Sequence, residues 1–243
     1  MKLPSLKQAF AIHFSISLII LLILIALMMR VWFPGDLFFM DGGWQGLKLI
    51  APIDLILGPA LTLILYRPWK KSLAFDMTVI ATVQFLALGY GVYSAYQQRT
   101  AAIVFADNRF ETVTIGEYNA AREILLEKEL PVKPLNEFGR MPVVVVAESF
   151  SAEGYGKYLE GILNGLPELR ERSDRYLPIE TAYEQLANFR LDKENTGTTI
   201  EIPASSPTNH RSSDADIFPL KARYLNGTIT FSGKDYKIER NGS

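Results

Sequence analysis

The chain has 243 residues, of which 49% are hydrophobic and 21% charged, and its formal net charge is -1. The near-neutral balance excludes a nucleic-acid-binding protein driven by overall charge, and the apolar fraction excludes a mostly disordered chain. Because there is no cysteine, disulfides, thiolate metal sites and thiol nucleophiles are excluded as well.

Charge divides the sequence into two parts. Residues 1–96 contain seven Lys or Arg and four Asp, whereas residues 97–243 hold the other 18 basic and 22 acidic side chains. We therefore expect a three-helix transmembrane domain over residues 1–98 and a more polar domain over residues 99–243. The predicted fold class is a membrane α-helical protein in which three transmembrane helices are followed by a small α+β extracytoplasmic domain.

Three apolar stretches are each close to the length of about 20 residues that crosses a bilayer. We predict spans at about residues 10–33, 47–66 and 75–96. A secretory signal peptide is the competing interpretation of the first stretch, but its exit, Arg30–Pro34, has no small-residue cleavage site. An uncleaved first span is therefore favoured.

Basic residues in the short loops orient these spans, because Lys and Arg are retained on the cytoplasmic side. Lys2 and Lys7 precede the first span, and three basic residues lie within residues 67–71, between the second and third spans. The loop over residues 34–45 has neither Lys nor Arg. The N-terminus is therefore predicted to be cytoplasmic, and residues 99–243 are predicted to lie outside.

The polar domain alternates between strand and helix patterns. Apolar, β-branched runs predict strands at residues 101–106 and 143–146. The spacing of Thr114 and Glu117 is that of a capping box and predicts the start of a helix. The pair Asn226-Gly227 predicts a hairpin whose strands cover residues 221–225 and 228–231.

No recognisable catalytic pattern occurs in the sequence. His13 lies at the start of the first span and His210 in a polar loop of the outer domain, so the two histidines are not expected to pair. There is no HExxH zinc site, no Walker phosphate loop and no GxSxG nucleophile motif. The sequence therefore predicts a protein that is not an enzyme, with no catalytic residues, metal site or cofactor.

The loop between the first two spans contains two carboxylates. Asp36 and Asp41 could be imagined as metal ligands, but two carboxylates in a Gly-rich loop are better explained by turn formation. We interpret Asp41, Gly42, Gly43 and Trp44 as a tight periplasmic turn that re-enters the membrane. Trp44 would then be an interface anchor at the level of the lipid headgroups.

Asp54 is an ionisable residue inside the second predicted span. A carboxylate in hydrocarbon costs about 2.5–3.5 kcal/mol even on insertion scales, so it needs a partner, a proton or water. Gln84 falls at a comparable depth in the third span, so an internal Asp54–Gln84 hydrogen bond is one interpretation. The others are that Asp54 receives a polar or cationic group from another membrane protein, or that water near the interface solvates it.

Small residues recur every four positions along the third span, at Ala87, Gly91 and Ala95. Such stripes let helices approach closely in lipid. The stripe either packs within this protein's own three helices, which is the favoured interpretation, or forms a docking groove for a partner helix.

Several motifs in the first 76 residues resemble a known family. They are Val31–Gly35 (VWFPG), Asp41–Gly46 (DGGWQG), Asp54–Pro59 (DLILGP), Leu61–Leu63 (LTL) and Lys70-Lys71 with Phe75-Asp76. With them the chain resembles the TfpX/TfpZ (FimB-like) type IV pilin accessory proteins, most specifically across residues 8–100. The family has no established catalytic residues.

The resemblance implies a bacterial inner-membrane protein, with a periplasmic C-terminal domain, that supports a type IV major pilin. Its expected partners are the cognate major pilin, the lipid bilayer and, as a further candidate, the pilus assembly platform; nucleic acid is not expected. Pilins as a class have one apolar helix and a globular head. We hypothesise that the spans cradle this helix while residues 100–243 recognise the head.

Two other classes of function fit the sequence less well than this chaperone-like role in pilus assembly. A membrane regulator with a ligand-binding periplasmic domain would need an output domain, and the predicted cytoplasmic parts are too short to form one. A pilin-modifying membrane enzyme would need clustered polar catalytic residues facing outward, whereas the first loop supplies only Asp36 and Asp41.

Overall fold

The computed structural model describes residues 4–186, 189–191, 216–232 and 235–241. Its contacts divide the chain into two compact units, Met1–Gln98 and Arg99–Ser243.

Long helices dominate the N-terminal unit. Helix α1 (Leu6–Leu27) starts with a capping box in which Ser5 Oγ accepts from Gln8 N at 3.3 Å and Gln8 Oε1 accepts from Ser5 N at 2.8 Å. It continues through a π-helical turn, Met28–Trp32. Helix α5 (Leu73–Gln97) is continuous over 25 residues.

The long helix between them changes its winding in the middle. It consists of α3 (Gly43–Pro52), a π-helical turn (Ile53–Leu57) and α4 (Gly58–Leu65). Pro52 has no N–H to donate to the carbonyl of Lys48, and a π turn follows directly after it. The irregular turn carries Asp54, which is buried.

Each of the three long helices is long and apolar enough to cross a membrane: Leu6–Trp32, Gly43–Leu65 and Leu73–Gln97. They confirm the three apolar helices that the sequence predicts. The second helix starts at Gly43, before the predicted residue 47, because a short helix, α2 (Leu37–Met40), and Gly42 complete the reversal of the chain earlier.

The C-terminal unit contains a mixed sheet, with seven strands among the described residues. They are β1 (Thr100–Ala106), β2 (Arg109–Thr114), β3 (Val143–Ala147), β4 (Tyr176–Pro178), β5 (Asp216–Lys221), β6 (Asn226–Ser232) and β7 (Asp235–Arg240). Their order across the sheet is β4-β3-β1-β2-β5-β6-β7. The pairs β1–β3 and β2–β5 are parallel, and the other neighbouring pairs are antiparallel.

Among the described residues of this unit, the α-helices are α6 (Ile115–Glu127), α7 (Ala152–Leu163) and α8 (Ile179–Leu186). Tyr118 of α6 and Tyr158 of α7 are buried with Ala102 and Val104 of β1 in one apolar core. Because successive strand residues point to opposite faces of a sheet, the side chain of Phe105 lies on the face opposite that core. Its ring packs against Phe110 with 5.2 Å between centroids.

The predicted capping box of α6 is present. Thr114 Oγ1 accepts from Glu117 N at 3.1 Å, and Thr114 N donates to Glu117 Oε2 at 2.8 Å. Helix α6 therefore begins at the position that the sequence predicts.

The predicted hairpin exists, but its first strand was placed wrongly. Strand β5 ends at Lys221, which pairs with Asn226, so Asn226-Gly227 belongs to β6 and is not the turn. The physical reason is burial: Phe218 and Leu220 alternate inward along β5, whereas Tyr224 and Leu225 are exposed. The pairing register of β5 with β6 is therefore set by the burial of Phe218 and Leu220.

Candidate functional site

All three long helices contribute polar side chains to one cluster. Helix α1 contributes His13 and Ser17, which are four residues apart and so share a face. The second long helix contributes Asp54 and Thr62, and α5 contributes Gln84. These five residues form the polar cluster.

Gln84 is the centre of the polar cluster. Its Nε2 donates to Asp54 Oδ1 at 2.8 Å and to Ser17 Oγ at 3.1 Å, while its Oε1 accepts from His13 Nε2 at 2.7 Å. Ser17 Oγ also donates to Asp54 Oδ1 at 3.2 Å. One amide side chain therefore connects the three helices.

Asp54 points into the three-helix unit and is only 2% exposed. Its Oδ1 accepts the two side-chain hydrogen bonds from Gln84 and Ser17. Within the described part of the chain, Asp54 Oδ2 has no hydrogen-bond partner. A buried acceptor without a hydrogen-bond partner lowers stability by about 1–3 kcal/mol. Packing of the helices alone would not require such a group at this position.

His13 extends the polar cluster to a second hydroxyl. Its Nδ1 lies 2.6 Å from Thr62 Oγ1, and Thr62 Oγ1 donates to the carbonyl oxygen of Gly58 at 3.3 Å. The imidazole therefore has a polar partner at each ring nitrogen. The other histidine, His210, lies outside the described residues.

A glycine makes room for this arrangement. A Cβ atom at Gly58 would lie 2.4 to 2.6 Å from the amide atoms of Gln84, which is too close for any packing contact. The amide could move away only by giving up its bonds to His13 and Asp54. Gly58 is therefore part of the site although it has no side chain.

The predicted small-residue stripe packs against the second long helix. A Cβ at Gly91 would lie 2.9 Å from Ile50 Cγ1, and one at Gly46 would lie 3.8 Å from the Ala95 methyl group. Ala95 is buried, whereas Ala87 is half-buried. Near Gly91 and Ala95 the second helix occupies the space that a partner helix would need.

The segment from Asp41 to Trp44 forms a tight turn. Asp41 is fully buried, Gly42 has a φ of +114°, and a Cβ at Gly43 would lie 2.5 Å from Phe38. Trp44 is 40% exposed, and Lys48 Nζ lies 5.2 Å from the centre of its ring. Both glycines are required by this backbone, since a left-handed φ and a close approach each disfavour a side chain.

The C-terminal unit holds a charged cluster centred on Arg170. Its Nη2 contacts Glu117 at 3.2 Å and Glu171 at 2.7 Å, and its Nη1 donates to Thr112 O at 3.1 Å. Burial opposes ionisation of Glu117, but the Thr114 backbone hydrogen bond and the charge of Arg170 outweigh it and lower the pKa. At Glu171 burial prevails and raises the pKa. Arg170 is thus engaged in holding its own unit together.

The chain is similar to curated proteins of Dichelobacter nodosus. It is 36% identical over 133 residues to "Fimbrial assembly protein, serogroup I", a match that covers 54% of this chain and 49% of that protein. It is 35% identical over 122 residues to "Fimbrial assembly protein, serogroups C1 and C2", and this match covers 49% of this chain and 88% of that protein. The chain belongs to the fimbrial assembly protein family.

Membership in the fimbrial assembly protein family confirms the resemblance to type IV pilin accessory proteins that the motifs indicate. The chain spans about half the length of the serogroup I and serogroup E1 proteins. No protein-family model and no solved structure matches it.

Three members of the polar cluster were missed by sequence reasoning: His13, Ser17 and Thr62. A signal was present, because His13 and Ser17 are four residues apart, and Asp54, Gly58 and Thr62 also follow one another in steps of four. Polar or small residues at helical spacing in an apolar stretch indicate a face directed at other helices.

Proposed function

We propose that the protein is an inner-membrane accessory factor for type IV pilus biogenesis, which binds the cognate major pilin, stabilises it and promotes its assembly. The observation that carries this proposal is the similarity to fimbrial assembly proteins. The three apolar helices supply a unit that suits a membrane. In this proposal the protein acts by binding, and no catalytic step is involved.

The proposed arrangement has a cytoplasmic N-terminus and a periplasmic C-terminal unit. Lys2 and Lys7 near the start of the sequence and the basic residues between α4 and α5 support it, since Lys and Arg favour the cytoplasmic side. The Asp41–Trp44 turn would then lie on the periplasmic side, where Trp44 suits the headgroup region. Cysteine labelling from outside intact spheroplasts tests this orientation at introduced positions, because the natural chain has no cysteine.

The outward faces of the helices are the proposed contacts for a pilin helix. Ile23 on α1 and Leu86 on α5 are both 65% exposed, whereas Gly91 is already packed against Ile50. We therefore propose that the pilin helix contacts exposed apolar side chains. Asp54 is then an internal residue that holds the three-helix unit together. The C-terminal unit would recognise the pilin head.

Affinity purification from gently solubilised membranes tests the central claim. We expect the tagged protein to bring the cognate major pilin with it at comparable abundance. Repeated absence of pilin, with the tagged protein intact and folded, would contradict direct binding and favour an indirect regulatory role.

Photo-crosslinking locates the contact. A crosslinking residue at Ile23 or Leu86 should capture pilin, whereas the same residue at Ile80 of α5, which is 5% exposed, is the matched inward-facing control. Equal yields at Leu86 and Ile80 would argue against a specific helix contact.

Intact-mass measurement of pilin separates binding from modification. We expect the same pilin mass in cells with and without this protein. A reproducible mass difference would overturn the non-enzymatic proposal.

A further inference from the structure

The hairpin that joins β5 to β6 has a tip that turn chemistry does not explain. We call residues 221–225 the hairpin tip; in it Tyr224 is 48% exposed and Leu225 is 46% exposed. Turns favour Gly, Asn, Asp, Pro and Ser, and Asn226-Gly227 follows directly but belongs to strand β6. The chain therefore turns through an aromatic and an aliphatic residue, both in contact with solvent, although a polar pair is one position away.

The hairpin tip is also basic. Lys221 and Arg223 are exposed, and no Asp or Glu occurs within residues 217–234. Glu111 Oε2 lies 3.9 Å from Lys221 Nζ, but Glu111 is also paired with Arg109 at 2.6 Å. One carboxylate therefore offsets only part of this positive charge. Exposed apolar side chains between basic ones are the combination that favours an anionic lipid surface.

The register of the sheet places the hairpin tip at the end where β1 begins. Thr100, the first residue of β1, pairs with Thr114, the last residue of β2. Strand β5 runs parallel to β2, with Lys221 opposite Glu111. The chain therefore leaves Lys221 in the direction in which β2 continues to Thr114. Because only β2 lies between β1 and β5, the hairpin tip is about 10 Å to the side of β1.

The beginning of β1 is tied to the end of the third apolar helix. Only Gln98 and Arg99 separate α5 from β1. Consecutive Cα atoms are 3.8 Å apart, so Thr100 Cα lies within about 11 Å of Gln97 Cα whatever the arrangement of the two units. In the proposed membrane arrangement, α5 ends at the outer surface of the bilayer. The Thr100 end of the sheet then begins close to the lipid headgroups.

We propose that the hairpin tip binds the surface of the membrane that α5 crosses. Tyr224 and Leu225 enter the headgroup region, where amphipathic aromatic rings are favoured, and Lys221 and Arg223 contact the phosphates of anionic lipids. This second attachment holds the sheet unit against the bilayer, whereas α5 alone would leave it on a two-residue tether. The inference rests on the membrane arrangement proposed above and does not depend on pilin binding.

Spin labels on the full-length protein in nanodiscs of phosphatidylglycerol and phosphatidylcholine test this contact. The natural chain has no cysteine, so Leu225→Cys creates a single labelling position. Ser232→Cys is the matched control, because Ser232 is exposed at the opposite end of strand β6. Collisions of the label with oxygen, which concentrates in lipid, are compared with collisions with a water-soluble nickel complex. We expect a several-fold higher oxygen-to-nickel ratio at position 225 than at position 232; equal ratios would overturn the proposal.

A third label separates this inference from the arrangement on which it rests. Leu86 of α5 is 65% exposed, so a label on Leu86→Cys should be surrounded by lipid. Lipid exposure at position 86 with water exposure at position 225 would overturn the hairpin contact alone. Water exposure at both positions would overturn the membrane arrangement as well. Magnetic broadening between labels at position 225 would indicate a second copy of the chain at the hairpin tip and would overturn the lipid contact.

The charge of the lipid tests the role of the two basic residues. Lys221→Gln combined with Arg223→Gln removes both charges and keeps polar side chains. In nanodiscs with phosphatidylglycerol, we expect this background to lower the oxygen-to-nickel ratio of labelled Leu225→Cys several-fold. Without these two substitutions, phosphatidylcholine alone should lower the ratio in the same way. An unchanged ratio in both experiments would overturn the assignment of Lys221 and Arg223 to anionic lipids.

Discussion

The side chain of Gln84 reaches both His13 and Asp54 because residue 58 of the facing helix is a glycine. A methyl group there would lie 2.4 Å from Gln84 Nε2. We predict that Gly58→Ala displaces the amide, breaks its hydrogen bonds and lowers the free energy of unfolding by about 1–3 kcal/mol. Tryptophan fluorescence during thermal unfolding in detergent measures the change.

Gly89→Ala is the matched control for this change. Gly89 is also helical and exposed, but a Cβ there has no atom within 4 Å. Since alanine favours a helix over glycine, the stability of Gly89→Ala should equal or exceed that of the natural protein. Equal losses in the two variants would show that helix glycines matter for a reason other than the space for Gln84.

Two carboxyls that share Arg170 should respond to pH in opposite directions. The pKa of Glu117 is lowered from 4.5, so its contribution to stability is present above that pH and is lost as the pH falls through the lowered pKa. The pKa of Glu171 is raised from 4.5, so its contribution is present below that pH and is lost as the pH rises through the raised pKa.

We therefore predict opposite effects for Glu117→Gln and Glu171→Gln. The first should reduce the loss of stability on acidification, and it retains the capping box, which accepts glutamine. The second should reduce the loss of stability between about pH 4.5 and neutrality. Urea unfolding at a series of pH values, followed by pulsed hydrogen exchange of β1, measures both; slopes that change in the same sense would contradict the assignment.

Counting residues inward from the ends of the predicted spans places Asp54 and Gln84 at a comparable depth, and in the structure Gln84 Nε2 donates to Asp54 Oδ1 at 2.8 Å. His13 could not be assigned in that way, because its partners depend on the rotation of α1 about its own axis. That rotation is fixed by packing and not by hydrophobicity, since nearly every face of α1 is apolar.

At the scale of elements, close packing of α5 on the second long helix depends on Gly91. We predict that Gly91→Ala destabilises the N-terminal unit by about 1–3 kcal/mol, because its methyl group would lie 2.9 Å from Ile50 Cγ1. Ile50→Ala alone removes a buried side chain and should cost about 2–5 kcal/mol.

The double variant tests whether these two residues act through one contact. In Gly91→Ala with Ile50→Ala, the new methyl group occupies space that Ile50 has vacated, so the loss should be smaller than the sum of the two single losses. Thermal unfolding followed by tryptophan fluorescence measures all three variants. Additive losses would mean that Gly91 and Ile50 contribute independently.

The prediction of helices and strands was most accurate where a single physical property dominates the sequence. Twenty apolar residues without a charge define a long helix, and a run of four valines defines a buried strand. The hairpin register was wrong because Asn226-Gly227 is a strong local turn signal that the burial of Phe218 and Leu220 overrides. The π turn after Pro52 was not predicted, since a proline marks a disturbed helix without specifying how the chain continues.

At the scale of the whole molecule, the two units have separate cores. The apolar core around β1 and β3 draws all its members from residues 101–176, and the polar cluster draws all of its members from residues 13–84. This separation matches the division of charge along the sequence, because the helical unit is apolar and the sheet unit carries most of the charged residues.

We predict that residues 99–243 fold without the three helices. Their sheet contains its own buried residues, among them Val104, Val145 and Tyr176, so removing the N-terminal unit should leave this core intact. The fragment should be soluble, unfold cooperatively in urea, and show the same protection of β1 and β3 amides from hydrogen exchange as the full chain. Leu125, fully buried on α6, gives the control: Leu125→Ala should cost about 2–5 kcal/mol in fragment and full chain alike. A fragment that lacks protected amides, or a Leu125→Ala loss confined to the full chain, would mean that the sheet unit requires the helices to fold.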